Sequence, residues 1–408
     1  MRVCMLSYYY WPRPTGGAES QCRKLSTALA ARGHECTVLT IRHVWADPAR
    51  QLENGVRIVR LPIVETFLCR NRQVLGLRKN ATSLAVPPTA QANQPAGRLK
   101  DTLAFLLKYS NSLAFIIATL CYLAYYRKEI DILHVQTAEW IAGLAAWAGK
   151  LFSIPVLCKG SNIPVFPEQQ AIPCAAFFNA WRRKPHFIAL TSAMREDMLN
   201  NGVPARYINV IPNGVELPAR TIAVEQNRDF LYIGNFSQSA AHKGFDVLLA
   251  AWAIFHRLRP EPRLIMLGGG DASPWQCLAT QLACAESIDF AGYQTDISPY
   301  FLSACCLLLP SRKEGISNAL LEAQSWGIPA IVSDIPANQA VVSQQQNGLL
   351  VPVGDSKALA AALLRFSEEP DFRRTCGTAA RQRMEDCFSM DSVATRTLAL
   401  YQQLLHNK

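Results

Sequence analysis

The sequence predicts an α/β protein of two doubly wound domains, each built on a parallel sheet. Three observations lead there. Short apolar runs of strand length alternate with helix-length amphipathic stretches along nearly the whole chain, the pattern of repeated βα units. The alternation breaks once, at the turn residues Pro212-Asn213-Gly214-Val215-Glu216-Leu217-Pro218 and a polar stretch through Arg228, which places the hinge near residues 210–228. The chain has 408 residues, enough for two domains at roughly 100–200 residues each. Half of them are apolar and 18% charged, with 22 Gly and 24 Pro scattered along the chain, which excludes disordered, collagen-like and coiled-coil classes.

In the first half, strands are expected at Arg2–Ser7, Glu35–Ile41, Val56–Arg60, Ile130–Val135, Pro155–Cys158 and Phe187–Thr191. Between the first two, Ala18–Arg32 sets Leu25, Ala28 and Leu29 at helical spacing and stops at Gly33, a normal C-terminal glycine. Residues 80–100, rich in Ala, Pro, Gln and Thr, read as a surface loop. Tyr109–Tyr126 carries no charge, and its 18 residues reach the lower limit of a membrane span, but Ser110, Asn111, Ser112 and Thr119 dilute it. It is read as a buried core or crossover helix, as an interfacial helix aided by Arg70, Arg72, Arg78, Lys79, Arg98 and Lys100, or, last, as a transmembrane span.

The second half repeats the logic. Strands are expected at Phe230–Ile233, Arg263–Leu267, Ile288–Ala291, Cys306–Leu309, Ala330–Ser333 and Gly348–Val351. Helices are expected at Phe245–Leu258, Pro274–Glu286, Ala319–Trp326 and Lys357–Phe366. The domains are drawn at 1–210 and 211–387, with a C-terminal helix over 388–408. Open parallel sheets bind ligands outside the carboxyl ends of their strands, so a site is expected in the cleft between the two domains.

Charge adds a direction. The net charge is +10, and residues 1–200 carry +12 of it while the remainder is −2. An anionic partner or surface for the first half, or a plain solubilising excess, would each explain this. No block of five or more Lys/Arg and no nucleic-acid module occurs, so nucleic acid is not an expected partner. Thirteen cysteines at irregular spacings, without a CxxC pair, suit buried thiols in a reducing compartment. Met1–Tyr9 runs into Trp11-Pro12-Arg13-Pro14 without a basic n-region or a long apolar core, and is read as the first strand of a cytoplasmic protein.

Three stretches carry chemistry. Gly16-Gly17-Ala18-Glu19 follows a strand and opens a helix, where backbone N–H groups meet a phosphate or a sugar without Cβ interference, or simply form a tight turn. Gly268-Gly269-Gly270-Asp271 ends a strand in the second half. The most informative stretch is Pro310-Ser311-Arg312-Lys313-Glu314-Gly315-Ile316-Ser317-Asn318-Ala319-Leu320-Leu321-Glu322-Ala323: a strand end, a glycine loop, and a helix entered at Ser317 or Asn318, both good N-caps. Two carboxylates eight apart, with helix N–H groups between them, suit a nucleotide sugar, one on sugar hydroxyls and one on the ribose diol, or are simply a loop acid and an exposed helix acid.

This pair resembles the E-x7-E motif of retaining glycosyltransferases of GT-B fold, in particular glycosyltransferase family 4. Gly33-His34-Glu35, Ile211-Pro212-Asn213-Gly214-Val215, Lys243-Gly244, Gly292-Tyr293 and Gly348-Leu349-Leu350-Val351-Pro352 fall in that family's order, over almost the full chain. The resemblance implies two Rossmann-like domains, an N-terminal one for the acceptor and a C-terminal one for the donor, with the last helix returning to the first. It implies Glu314 on the sugar hydroxyls, Glu322 on the ribose, Lys243 on the diphosphate, and Gly16, Gly17, Asn235, Gly292 and the Gly315, Ile316, Ser317, Asn318 backbone around the donor. His134 takes the first position of the family's His-x-His near the reacting carbon, or is a satisfied structural side chain. Gln136 and Lys159 face the acceptor, or Lys159 is an ordinary exposed lysine.

Departures stand beside the matches: Gly234-Asn235 replaces the family's Gly-Arg, Gln136 replaces the second His, and Lys159-Gly160 replaces His-Gly. The implied reaction is retaining transfer from a nucleotide diphosphate sugar, a UDP-sugar first, to a hydroxyl acceptor, without metal or cofactor. A lipid-linked acceptor and peripheral attachment to the inner face of the cytoplasmic membrane, in cell-surface polysaccharide synthesis, would account for the basic first half. The alternatives are a catalytically degenerate nucleotide-sugar-binding scaffold and a nucleotide-sugar epimerase of the same fold.

Overall fold

The computed structural model describes residues 1–10, 16–68, 95–167, 172–237 and 242–406. The chain divides into two units, Met1–Ile211 with Ala394–Lys408, and Pro212–Val393.

The first unit holds β1 (Arg2–Leu6), β2 (Glu35–Arg42), β3 (Arg50–Glu53), β4 (Val56–Pro62), β5 (Ile132–Val135), β6 (Val156–Lys159), β7 (His186–Ala189) and β8 (Ile208–Val210). They form one sheet in the order β3-β4-β2-β1-β5-β6-β7-β8. All pairings are parallel except β3 with β4. The strand order reverses its direction of growth between β1 and β5, the kind of switch point where doubly wound sheets open a crevice at their carboxyl ends. Two of these strands go beyond the sequence expectation. β8 is three residues long. β3 pairs with β4 through a tight turn at Asn54 (φ 48°) and Gly55 (φ 77°), and this Asn-Gly pair is the hairpin signal that could have found it.

The helix Pro95–Tyr126 spans 32 residues. It absorbs residues 95–100 of the expected loop; the rest of that loop, and Arg70, Arg72, Arg78 and Lys79, lie outside the described residues. One face is core: Phe115 lies edge-on to Tyr8 (5.0 Å) and Trp140 (6.3 Å), with Ile116, Thr119 and Leu123 buried beside it. Three of the diluting polar residues are hydrogen-bonded: Ser110 and Ser112 donate to carbonyls one turn back, and Asn111 Oδ1 accepts the Glu65 N–H (2.9 Å), while buried Thr119 Oγ1 has no partner among the described residues. The other face is exposed and apolar, with Phe105, Tyr109, Leu113, Ile117 and Tyr125 on a four-residue spacing. Ala104–Glu129, with mean hydropathy 1.5, is long and apolar enough to cross a membrane by length and composition.

The second unit holds β9 (Asp229–Ile233), β10 (Leu264–Leu267), β11 (Ile288–Gly292), β12 (Ala304–Leu309), β13 (Ala330–Ser333) and β14 (Gly348–Val351). Its sheet is wholly parallel, in the order β11-β10-β9-β12-β13-β14, with the reversal between β9 and β12. An aromatic cluster of Phe230, Tyr232, Phe245, Trp252 and Phe255 fills its core, and buried Trp252 Nε1 donates to Ser287 Oγ (2.9 Å). Truncating such a residue to Ala typically costs about 3–5 kcal/mol. The helices Phe245–Leu258 and Asn318–Ser325 follow the carboxyl ends of the adjacent strands β9 and β12. The helix expected over Pro274–Glu286 is Ser273–Gln281, cut short where Ala283 turns to a φ of 55°.

Candidate functional site

The second unit brings its chemistry together at the carboxyl ends of β9 and β12. The loop after β12 carries Glu314, whose Oε1 accepts from Lys243 Nζ in a close ion pair and from Ser311 Oγ at 3.0 Å. Lys243 is delivered by Gly244, the N-cap of Phe245–Leu258, which sits at φ +74° with no room for a Cβ: that atom would lie 2.2 Å from the Pro310 carbonyl. Only glycine lets the lysine loop pass this close to the β12 end. The neighbouring Arg312 guanidinium grips Asp246 with two hydrogen bonds of 2.8 and 2.6 Å and holds that carboxyl below its usual range.

Downstream, Ser317 caps the helix Asn318–Ser325, its Oγ accepting the Leu320 N–H (3.4 Å). Glu322 lies one turn into that helix, partly exposed. Buried Asn213, from the hinge motif, fastens the loop by donating to the Ile316 carbonyl and to Asn318 Oδ1, each at 3.3 Å. Gly315 and Ile316 are buried. The loop thus sets the N-terminal turn of Asn318–Ser325 next to a lysine–carboxylate pair.

Strand ends opposite are tightly joined. A Cβ at Gly268 would fall 1.6 Å from the Gly234 carbonyl, so the β9 and β10 turns meet backbone to backbone. Gly292, at φ +70°, closes β11, and its carbonyl accepts the Gly268 N–H (2.9 Å). Exposed Asn235 spends its Oδ1 on its own turn, accepting the Ser237 N–H at 2.8 Å. Tyr232 Oη is buried beside Gly234 without a hydrogen-bond partner, and burial, with the Glu314 charge second, keeps that phenol protonated.

In the first unit the carboxyl ends of β5 and β6 gather His134, Gln136 and Lys159. His134 is fully buried; its Nδ1 bonds Tyr401 Oη (2.6 Å) from the C-terminal helix, and its Nε2 is enclosed without a partner. Burial, then the Lys159 charge, pushes its pKa down to about 3, so the ring is neutral. Since neither nitrogen reaches solvent, the ring serves as a structural partner of Tyr401 in this arrangement, and not as a group that touches a ligand. Gln136 is buried as well, with Oε1 unpartnered and Nε2 against Met5 Sδ (3.8 Å). Lys159 is not an exposed lysine: it is 6% exposed, makes no hydrogen bond or ion pair among the described residues, and is lowered by burial to a pKa of about 8.

At the start of Gly17–Ala31, the Glu19 carboxylate folds back so closely that a Cβ on Gly16 would lie 2.9 Å from it. Burial raises its pKa, the Gly16 and Glu19 N–H groups lower it, and the Glu139 charge raises it again. The N–H groups read as facing a phosphate or sugar are thus covered by the helix's own acid. Among the described residues no group of three or more His, Cys, Asp or Glu could hold a metal ion.

Ser311, Asn213 and Glu19 escaped the sequence assignment of roles, although all three stand inside the quoted motifs. Ser333, which reaches Ser311 from β13, and Asn338, which holds Ser333, have no local signal at all.

A model described as glycosyl transferases group 1 matches residues 216–383, and one described as a glycosyl transferase 4-like domain matches 16–214. The chain is 24% identical over 423 residues to the glycogen synthase of Mycobacterium tuberculosis H37Rv, covering 98% of this chain and 94% of that one. It is 27% identical over 289 residues to the lipopolysaccharide core biosynthesis glycosyltransferase LpsE of Rhizobium meliloti, covering 68% and 80%. Among solved structures, sucrose-phosphate synthase from Thermosynechococcus elongatus superposes with a TM-score of 0.72 at 23% identity over 100% of both chains. Anabaena HepE in complex with UDP-glucose superposes with a TM-score of 0.68 at 17% identity, over 99% of this chain and 100% of that one.

Proposed function

We propose that this chain, which belongs to the GT-B glycosyltransferase superfamily, transfers a sugar with retention from a nucleoside diphosphate sugar, a UDP-sugar first, to a hydroxyl acceptor. The observation that carries the reading is the Lys243–Glu314 pair at the β12 switch point, beside the Ser317-capped helix that bears Glu322. Glu322 takes the ribose diol, Glu314 the sugar hydroxyls, and the helix entrance with Lys243 the diphosphate. As the anomeric C–O bond breaks, charge flows onto the departing phosphate, where a fixed cation stabilises the transition state more than the ground state. The acceptor oxygen bonds to the same face of that carbon, and its proton passes to the departing phosphate oxygen. Lys243 and the helix N–H groups supply the charge compensation, so the reading assigns no metal and no cofactor. Asn235, tied into its own turn, offers no cation, which leaves Lys243 as the phosphate contact with most of the work.

The first unit takes the acceptor, with Lys159 at the end of β6 as its polar contact. A buried cation without a carboxylate favours an acceptor that carries an anionic group, such as a lipid-linked sugar diphosphate. The exposed apolar face of Pro95–Tyr126, flanked by Lys108, Arg127 and Lys128, supports peripheral attachment to an anionic membrane, on the inner face of the cytoplasmic membrane, and a place in cell-surface polysaccharide synthesis.

The test is thermal stabilisation by UDP, GDP, ADP and dTDP at millimolar concentration, on the natural chain and on Glu322→Ala. A ligand at one hundred times its Kd stabilises the folded state by about 2.7 kcal/mol. One nucleotide that raises the melting temperature, with the shift lost in the variant, supports the donor site and names its base. No shift with any of the four refutes it and favours a degenerate scaffold.

A further inference from the structure

Glu314 is held through one oxygen. Both Lys243 Nζ and Ser311 Oγ donate to Oε1, and Oε2 has no hydrogen bond among the described residues. A carboxylate tied at one oxygen keeps the other aimed, provided the group that ties it cannot itself move. Ser311 meets that condition. It is fully buried at the end of β12, and its carbonyl accepts from Ser333 Oγ, on the last residue of β13. Ser333 is fixed in turn by Asn338, whose Nδ2 donates to the Ser333 carbonyl (2.9 Å) and to Ser333 Oγ (3.3 Å).

The donors run in one direction. The Asn338 amide N–H points to Ser333 Oγ, the Ser333 hydroxyl hydrogen to the Ser311 carbonyl, and the Ser311 hydroxyl hydrogen to the Glu314 carboxylate. With Ser333 Oγ accepting from Asn338, its one hydrogen goes to a carbonyl, the Ser311 one being far closer than that of Leu309 at 3.5 Å, and the Ser311 hydrogen goes to Glu314. Ser311, Ser333 and Asn338 are each at most 1% exposed, so no water competes for these bonds. Two adjacent parallel strands and the turn after them are thus spent on the orientation of one carboxylate.

We infer that Ser311, anchored by Ser333 and Asn338, is the positioning residue that keeps Glu314 Oε2 turned toward the donor sugar. The inference rests on the donor-site reading of Glu314 given above. Its signature is selective: the sugar part of the donor should lose its grip while the nucleotide part does not, because Ser311 hydrogen-bonds neither Lys243 nor Glu322, and Lys243 keeps its own bond to Glu314 Oε1 when Ser311 is removed.

The probes are UDP and UDP-glucose, titrated calorimetrically on the full chain, and the quantity read is the ratio of their dissociation constants. Ser311→Ala should raise Kd(UDP-glucose)/Kd(UDP) on the order of tenfold, the usual worth of one hydrogen bond to a charged group, with Kd(UDP) unchanged within about twofold. Ser311→Thr, which keeps the hydroxyl, should restore the natural ratio. Ser333→Ala, which frees the Ser311 carbonyl, should move the ratio the same way by less and covers the case in which threonine does not fit. Glu314→Gln separates the two levels of the reading. If it raises the ratio and Ser311→Ala does not, the positioning role is overturned and the donor site stands. If neither changes the ratio, the donor-site reading of Glu314 falls and the inference with it. If Ser311→Ala weakens both ligands equally, its role is structural only, and the inference is overturned.

Discussion

Replacing Lys159 with methionine should stabilise the first unit, because the amine is buried without an anion to compensate it. Burial lowers its pKa from the usual 10.5 to about 8. At about 1.4 kcal/mol per tenfold change, the charged amine destabilises the folded state by about 3 kcal/mol at neutral pH. Below pH 8 the amine is charged in folded and unfolded chains alike, so the cost is fully present. Between pH 8 and 10.5 the folded state sheds its proton while the unfolded state keeps it, so the cost fades, and above 10.5 it is gone. Methionine fills a similar volume without the charge. Urea unfolding at pH 7, followed by a first-unit probe, should therefore give Lys159→Met an advantage of about 3 kcal/mol over the natural chain, which shrinks to nothing by about pH 10.5. An equal or lower stability at pH 7, or an advantage indifferent to pH, would refute the reasoning. The proposed acceptor role adds a separate expectation: the same variant should lose transfer to an anionic acceptor while its UDP binding is unchanged.

Acid should act on the same unit in the same sense through His134, in a lower pH window. His134 is neutral in the fold with a pKa of about 3 against 6.5 when free, so its stabilisation is complete above pH 6.5 and lost as pH falls toward 3, by up to about 5 kcal/mol; an acid-unfolding curve for His134→Gln should show a slope smaller by one proton. Gly244→Ala forces a φ of +74° and a 2.2 Å approach to the Pro310 carbonyl, so it should cost about 2–4 kcal/mol by denaturant unfolding and weaken UDP binding through displacement of Lys243. In flotation with anionic vesicles at low salt, the natural chain should rise with the lipid and Leu113→Glu/Ile117→Glu should stay behind with nucleotide binding intact; a natural chain that stays in solution sinks the membrane proposal.

Much of the fold is legible because its signals are local. Each expected strand is an apolar run between turn residues, and burial on both faces of a parallel sheet makes such runs continuous, so β9, β12, β13 and β14 stand out. β8 escapes for want of length, and β3 because its polar, half-exposed residues lack the apolar run, although Asn54-Gly55 marks its turn. At the site, Glu314, Glu322 and the Ser317 cap are readable because eight residues of one loop and helix hold them together. Lys243 comes from another segment, and its pairing with Glu314 depends on a glycine whose necessity shows only when Pro310 is seen against it. The Tyr401–His134 bond joins residues 267 apart, and the Ser333–Ser311 contact follows from strand order. Such contacts are set by topology, which no local pattern encodes. The burial of Lys159 is of the same kind: a lysine at a strand end looks solvated until the folded chain encloses it.

The division of the chain also orders its synthesis. Pro212–Val393 is inserted between two parts of the first unit, whose last fifteen residues include Tyr401, completely buried against His134. A ribosome therefore releases every strand of the first sheet, and then the whole of the second unit, before the residue that seals β5 exists. During that interval the second unit can close on itself, while the first waits with His134 open to water and free to take up a proton. Ending the chain at Val393 would leave the second unit whole and the first unit permanently in that waiting condition, so the C-terminal helix acts as the first unit's final fastening.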